Sequence, residues 1–354
     1  VVVNGSGRGV SGVSVSGTSA TLTLASATLN GDVVTVAYSG SVVLAAAGHA
    51  AAAFGTSAVT NSTANQNPAT PPLVSPANAA WVTTTTPTLT ATFTDPDTNN
   101  TGQIGFRVCS DSGCGVVLST FSSGSGIANG ADGAAAVPGG AALASGTTYY
   151  WQAQAIDANA GTSAFSASRS FTVDTVVPGS SVTFPADTAS YNAAGWTGTL
   201  TGSASDATSG VTAIELRIQR SSDSQYWNGS GWQSGAIFVS GTGTTSWSYG
   251  LAAASLASGT NYTVSARATD AAGNVQSALA SATFTYDTAA PGSSVTFPGN
   301  GASYNAAGWT GTLTGSASDT GGAGLSAVEL RIQRQSDSQY WNGSGWQVGA
   351  TFVG

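Results

Sequence analysis

Apolar and polar residues alternate in short runs along most of the chain. The clearest are 20–24 (Ala-Thr-Leu-Thr-Leu), 33–38, 88–93, 149–156 and 262–268. A period of two sends alternate side chains to opposite faces of an extended backbone, so each run predicts a half-buried β-strand. Clusters of Gly, Ser, Asn and Asp separate the runs and supply turn chemistry. No segment carries the three-to-four spacing of an amphipathic helix. Many short strands at close intervals predict an all-β chain of sandwich type.

The pattern also repeats on a longer scale. Residues 178–185 return as 291–298, 191–206 as 304–319, 215–220 as 329–334, and 225–233 as 339–347. The offset is 113 residues and becomes 114 after an insertion near Gly322, the size of one sandwich domain. The runs 171–178 and 284–291 each read as a last strand, a short hinge and a domain-opening proline. A Pro-, Asn- and Thr-rich linker spans 61–78. These boundaries divide the chain into 1–63, 64–174, 175–287 and 288–354. The first copy continues through Trp247, Tyr262 and Phe284, whereas the second stops at Gly354. The chain also opens inside a strand-like run, Val1 to Val3. The expectation is therefore tandem sandwiches incomplete at both chain ends, completed by more chain or by a neighbouring one.

Composition narrows the function. Only 7% of the 354 residues are charged, with eight Arg, no Lys and a formal charge of −8. Scattered arginines without lysine cannot form a phosphate-tracking patch, which argues against nucleic-acid binding. No apolar run approaches the roughly 20 residues of a membrane span; the longest candidate, 42–54, is interrupted by Gly48 and His49.

Several segments resemble bacterial extracellular modules. Residues 64–174 are similar to a fibronectin type III or related Ig-like domain, through 94–97 (Thr-Asp-Pro-Asp), 143–151 (Leu-Ala-Ser-Gly-Thr-Thr-Tyr-Tyr-Trp) and 166–174. The two later repeats resemble Ig-like repeats of large surface proteins, with 268–274 (Ala-Thr-Asp-Ala-Ala-Gly-Asn) as the carrying motif. Residues 1–63 resemble the second half of another bacterial Ig-like repeat, through 13–18, 30–36 and 58–61. There 45–49 (Ala-Ala-Ala-Gly-His) departs from the usual acidic motif. The resemblance implies a surface location and, at the domain junctions, calcium held by carboxylates. Asp174 and Asp287 at the hinges, and Asp206, Asp270 and Asp319 in loops, are the matching residues.

The residues themselves offer few other chemistries. Cys109 and Cys114 are the only cysteines, and two strands joined at 111–113 would bring them within disulfide reach. Zinc would need further His or Cys ligands nearby. A disulfide implies an oxidising, extracytoplasmic compartment. Asp95, Asp97 and Asn99 place oxygen-bearing side chains at alternate positions of a turn, which suits either calcium or plain turn formation. His49 is solitary, and Glu215 and Glu329 occupy the same place in two copies beside strand arginines, a pattern of surface ion pairing rather than of a catalytic dyad. Tyr226, Trp227 and Trp232, with their copies Tyr340, Trp341 and Trp346, read as an Asn-Gly hairpin with flanking indoles. They serve sheet packing, a sugar platform or a subunit contact.

The function expected is a non-catalytic segment of an extracellular stalk, adhesin or self-assembling filament, whose partners are its own neighbouring domains or subunits. The alternatives are a carbohydrate-binding or spacer region of a secreted polysaccharide-degrading enzyme, and a virion fibre or decoration protein.

Overall fold

A computed structural model describes residues 1–16, 19–38 and 52–354. His49 and most of the 42–54 run lie outside the described residues. The chain divides into two compact units, Val1–Thr175 and Val176–Gly354. Helical structure among the described residues is limited to two single turns, Gly139–Ala141 and Ala253–Ser255. No helix there is long and apolar enough to cross a membrane.

The first unit opens with a four-stranded sheet ordered Ser6–Gly7, Val2–Val3, Val34–Tyr38, Phe54–Val59, and a hairpin of Val10–Ser16 with Ser19–Leu24. Two further sheets follow. One runs Val117–Ser122, Thr101–Cys109, Thr148–Asp157, Arg169–Val173, Ala80–Val82, and Ile127–Ala128 also pairs with Thr101–Cys109. The other runs Asp132–Ala136, Thr88–Thr92, Leu73–Ser75. The period of two read from the sequence is the reason these sheets can share a core. Thr148–Asp157 buries Tyr149, Trp151, Ala153 and Ala155, and leaves the residues between half-exposed. Leu89, Phe93, Ile104, Phe106 and Phe171 fill the same interior.

The second unit repeats the scheme. Gly179–Phe184, Thr199–Ser205 and Ser246–Gly250 form one sheet. The other is ordered Ala189–Tyr191, Ala280–Tyr286, Thr260–Asp270, Val211–Arg220, Gln225–Trp227, Trp232–Gln233. Between them lie Trp196, Leu200, Ile214, Leu216, Ile218, Trp247, Tyr262 and Phe284. Gly202 is glycine because a Cβ there would sit 2.0 Å from the Ser181 carbonyl oxygen and 2.2 Å from the Trp247 ring. Residues 288–354 carry the pair Gly292–Phe297 with Thr314–Ser318, and the three-stranded Gln333–Arg334, Gln339–Trp341, Trp346–Gln347.

Both larger sandwiches lock one corner in the same way. The Tyr149 hydroxyl accepts from the Ala144 N–H at 2.9 Å, and the Tyr262 hydroxyl from Ala257 N–H at 2.7 Å. A tyrosine near the start of a strand, bonded to backbone a few residues upstream, is a corner device of Ig-like sandwiches. Its sequence signal is the paired Leu-Ala-Ser-Gly-Thr-x-Tyr at 143–149 and 256–262.

Candidate functional site

The side chains with chemical potential gather in three places: the acidic loops, the cysteine turn and the tryptophan hairpins. In the first unit, Asp95 and Asp97 are buried on the loop after Thr88–Thr92. The Asp97 N–H donates to Asp95 Oδ1 at 2.7 Å, and Asp97 Oδ2 accepts from Gln66 N–H at 2.7 Å. Asn99 is exposed with φ of 58°, and the neighbouring Asn100 is the one that turns inward, reaching Asp95 Oδ2 at 3.4 Å. The expected alternation therefore fails at its third member, because left-handed backbone at Asn99 shifts the inward position by one. Asp157, which the sequence reading missed, joins this cluster. Its carboxylate caps its own loop through Asn159 and Gly161 N–H groups at 2.8 and 2.7 Å, and accepts from Asn65 Nδ2 at 2.8 Å. The signal was available: Asp157-Ala-Asn-Ala-Gly161 has the length of Asp270-Ala-Ala-Gly-Asn274, with its glycine one position later. Burial, with the charges of Asp97 and Asp157 adding to it, pushes the Asp95 carboxyl above its ordinary value.

In the second unit, Asp206 and Asp270 come together, with carboxylate oxygens within 4.8 Å of each other. Asp270 caps the 271–274 loop through Gly273 and Asn274 N–H groups, both at 2.8 Å. Asp206 Oδ1 accepts three backbone N–H groups, from Thr208, Ser209 and Gly210. Its Oδ2 is buried and has no hydrogen-bond partner. Burial drives the Asp206 carboxyl up, but those N–H donors outweigh it and hold the group below its ordinary value. Asp174 belongs to the first unit, where it is buried directly after Arg169–Val173 and its N–H bonds the Val82 carbonyl at 2.9 Å.

Asp287 follows Ala280–Tyr286 directly and reaches into the next repeat. It accepts from Ala289 N–H at 2.8 Å and from Ala323 N–H at 3.0 Å, and these two bonds do most to hold its carboxyl below the ordinary value. Gly321 lies so close that a Cβ would stand 1.8 Å from Asp287 Oδ1. Asp319 caps the same loop, accepting from Gly321 and Gly324 N–H groups at 3.1 and 2.9 Å.

Cys109 and Cys114 form the disulfide, with a Cα–Cα distance of 5.1 Å. The geometry differs from a cross-strand bridge. Cys109 ends its strand and pairs with Val117, whereas Cys114 stands within the turn at φ of 54°. Asp111 organises that turn by accepting N–H groups of Gly113, Gly115 and Val116.

In the first hairpin, Trp227 pairs with Trp232 across the strands, ring centroids 5.5 Å apart in an edge arrangement. Trp227 is buried and donates from Nε1 to the Tyr249 hydroxyl at 2.9 Å. The Arg220 guanidinium covers Trp232, 4.7 Å from its centroid, and Tyr262 packs against it at 5.5 Å. These indoles are used in packing, with Trp227 buried and Trp232 half-buried beneath Arg220. In the copy, Trp346 sits 5.6 Å from Trp341 under Arg334, and Tyr226 and Tyr340 are both half-buried. The turn is a four-residue loop closed by the Asn228 N–H on the Gly231 carbonyl, longer than a two-residue Asn-Gly turn. Glu215 pairs with Arg267 on the adjacent strand at 2.9 Å.

No protein-family profile matches this chain, and no curated protein matches it. Solved structures do. The fibronectin(III)-like modules of Clostridium thermocellum CbhA share 14% identity, covering 62% of this chain and 94% of that one, with a TM-score of 0.34. A Ca2+-stabilized adhesin that helps an Antarctic bacterium reach out and bind ice shares 21%, covering 75% and 58%, with a TM-score of 0.34. A tetra-tandem repeat from the extending region of a large adhesion protein shares 19%, covering 87% and 77%, with a TM-score of 0.28. The chain's own sheets and its two tyrosine corners define it as a tandem array of Ig-like, fibronectin III-like β-sandwiches.

Proposed function

We propose that the chain is a non-catalytic structural segment of an extracellular or surface-attached protein, of stalk, adhesin or filament type. In this reading, 1–63, 64–174, 175–287 and 288–354 are successive modules. The observation that carries it is Asp287: one carboxylate tied by hydrogen bonds to the hinge that follows its strand and to the loop of the next repeat. Such a contact restrains a junction and does no chemistry on a substrate. The Cys109–Cys114 disulfide supports an oxidising compartment.

Calcium fits the acidic loops. A hard cation takes six to eight oxygens, and Asp206 offers a buried oxygen with no hydrogen-bond donor beside the Asp270 carboxylate. Asp206 and Asp270 would hold an ion in the second unit, and Asp95, Asp97 and Asp157 in the first. Asp174, Asp287 and Asp319 are the remaining candidate ligands. Bound calcium would neutralise packed carboxylates and stiffen the loops that carry them.

Thermal unfolding of the whole chain in calcium and in chelator tests this part of the reading. The midpoint should rise with calcium by several degrees, as expected for a ligand that binds only the folded state, and Asp206→Asn should reduce the rise. An unchanged midpoint removes calcium from the account.

A further inference from the structure

The two sheets of the sandwich built from residues 179–286 have different outer surfaces. Strand Thr199–Ser205 buries Leu200, Gly202 and Ala204 and turns Thr199, Thr201, Ser203 and Ser205 outward. Its neighbours add Ser181 and Thr183 on one side and Ser246 and Ser248 on the other. Each of these side chains ends in a hydroxyl, and none is charged. The hydroxyls are already aligned in cross-strand pairs: Ser181 with Ser203 at 2.8 Å, and Thr183 with Thr201 at 3.0 Å. The opposite sheet shows Glu215, Arg217 and Arg267 around Phe238, with the Arg267 guanidinium 3.8 Å from the ring centroid. The hydroxyl face recurs in the second copy, as Ser294 with Ser316 at 2.9 Å and Thr296 with Thr314 at 3.0 Å.

We propose that this hydroxyl face is a lateral contact between copies of the chain. The inference rests on the structural reading above and names its partner. A hydroxyl both donates and accepts, so a face made of hydroxyls is complementary to itself, as a two-fold contact requires. The opposite sheet, with two arginines to one glutamate around Phe238, would set like charges against each other in such a contact. Stripping water from a hydroxyl that regains a hydrogen bond also costs far less than stripping it from a charge. The same face lacks the aromatic platform that a polysaccharide would stack on, which favours a second copy over a glycan.

Three strands of about five residues cover roughly 14 by 17 Å, or about 250 Å². A stable pair needs about 800 Å² from each partner. One face is therefore weak alone, and its recurrence along the chain supplies the strength through effective concentration.

Sedimentation equilibrium of the full chain across a wide concentration range provides the test. The weight-average mass should rise with concentration above 34.6 kDa. The double variant Ser203→Glu, Ser316→Glu should weaken association by about tenfold or more, since like charges then meet at the contact. The charge-matched control Ser234→Glu, Ser281→Glu, placed on exposed positions off this face, should associate as the parent does. Mixing the glutamate variant with Ser203→Lys, Ser316→Lys should restore association, which also shows that both variants are folded. A chain that stays monomeric throughout overturns the proposal and leaves the structural reading to its own unfolding test. So does association that the glutamates leave unchanged, or a parent chain that binds a neutral polysaccharide through this face without binding itself.

Discussion

The two copies of the repeat carry nearly the same sequence in two settings. In the first, Trp196 is 6% exposed and stacks on Phe284 at 4.7 Å; in the second, Trp309 is 47% exposed. Leu200 and Leu216 are fully buried, while Leu313 and Leu330 are only half-buried. Local geometry hardly changes. The Phe184–Tyr191–Trp196 cluster has centroid distances of 4.9, 5.3 and 5.8 Å, and Phe297–Tyr304–Trp309 has 4.8, 5.6 and 6.2 Å. The indole pairs sit at 62° and 65°. Contacts between near neighbours are thus written in the repeat itself, whereas burial in the first copy is supplied by strands between 246 and 286 that lie across it.

That division can be broken most sharply at the tryptophans. Trp196→Ala should cost about 3–5 kcal/mol in urea unfolding, because it empties a closed core. Trp309→Ala should cost about 1 kcal/mol or less, because its ring is half in water already. Equal costs would mean that the second copy is as well covered as the first.

The hairpins should behave in the opposite way. Asn228 accepts from Ser230 and Gly231 N–H groups at 3.0 and 2.9 Å, and Asn342 accepts from Ser344 and Gly345 at 3.0 and 2.7 Å. Asn228→Ala and Asn342→Ala should each loosen their own hairpin by about 1 kcal/mol, read by amide hydrogen exchange at Gly231 and Gly345. A loss in one copy only would tie the hairpin to its surroundings.

The smallest effect separates burial from local bonding in two carboxyls. Asp287 is held below its ordinary value of 3.8 by local N–H donors, so its contribution is present above that pH and lost as pH falls below it. Asp95 is raised above 3.8 by burial, so stability falls as pH rises from 3.8 through its folded value. Asp287→Asn should flatten the acid limb of the stability curve. In chelator, Asp95→Asn should remove the opposing slope and stabilise the chain at neutral pH.

Strand positions were legible because a period of two survives any tertiary context. The predicted run 149–156 lies inside Thr148–Asp157, and 262–268 inside Thr260–Asp270. The hairpin was legible for the same local reason. What could not be read was which loops converge. Asp157 stands 60 residues from Asp97 in sequence, and only the fold brings it to the same cluster. The inward turn of Asn100 depends on a single left-handed residue, and Cys114 on the N–H groups that Asp111 collects, neither of which leaves a periodic trace.

A stalk, adhesin or filament segment, as proposed here, must hold its shape under load, and single-molecule extension of the full chain tests that directly. Each complete sandwich of about 110 residues should release about 350 Å of new length in one step, from about 3.5 Å per residue less the folded span. The 64–174 step should lengthen slightly when reductant opens the Cys109–Cys114 loop. A smooth extension without discrete steps would contradict the account.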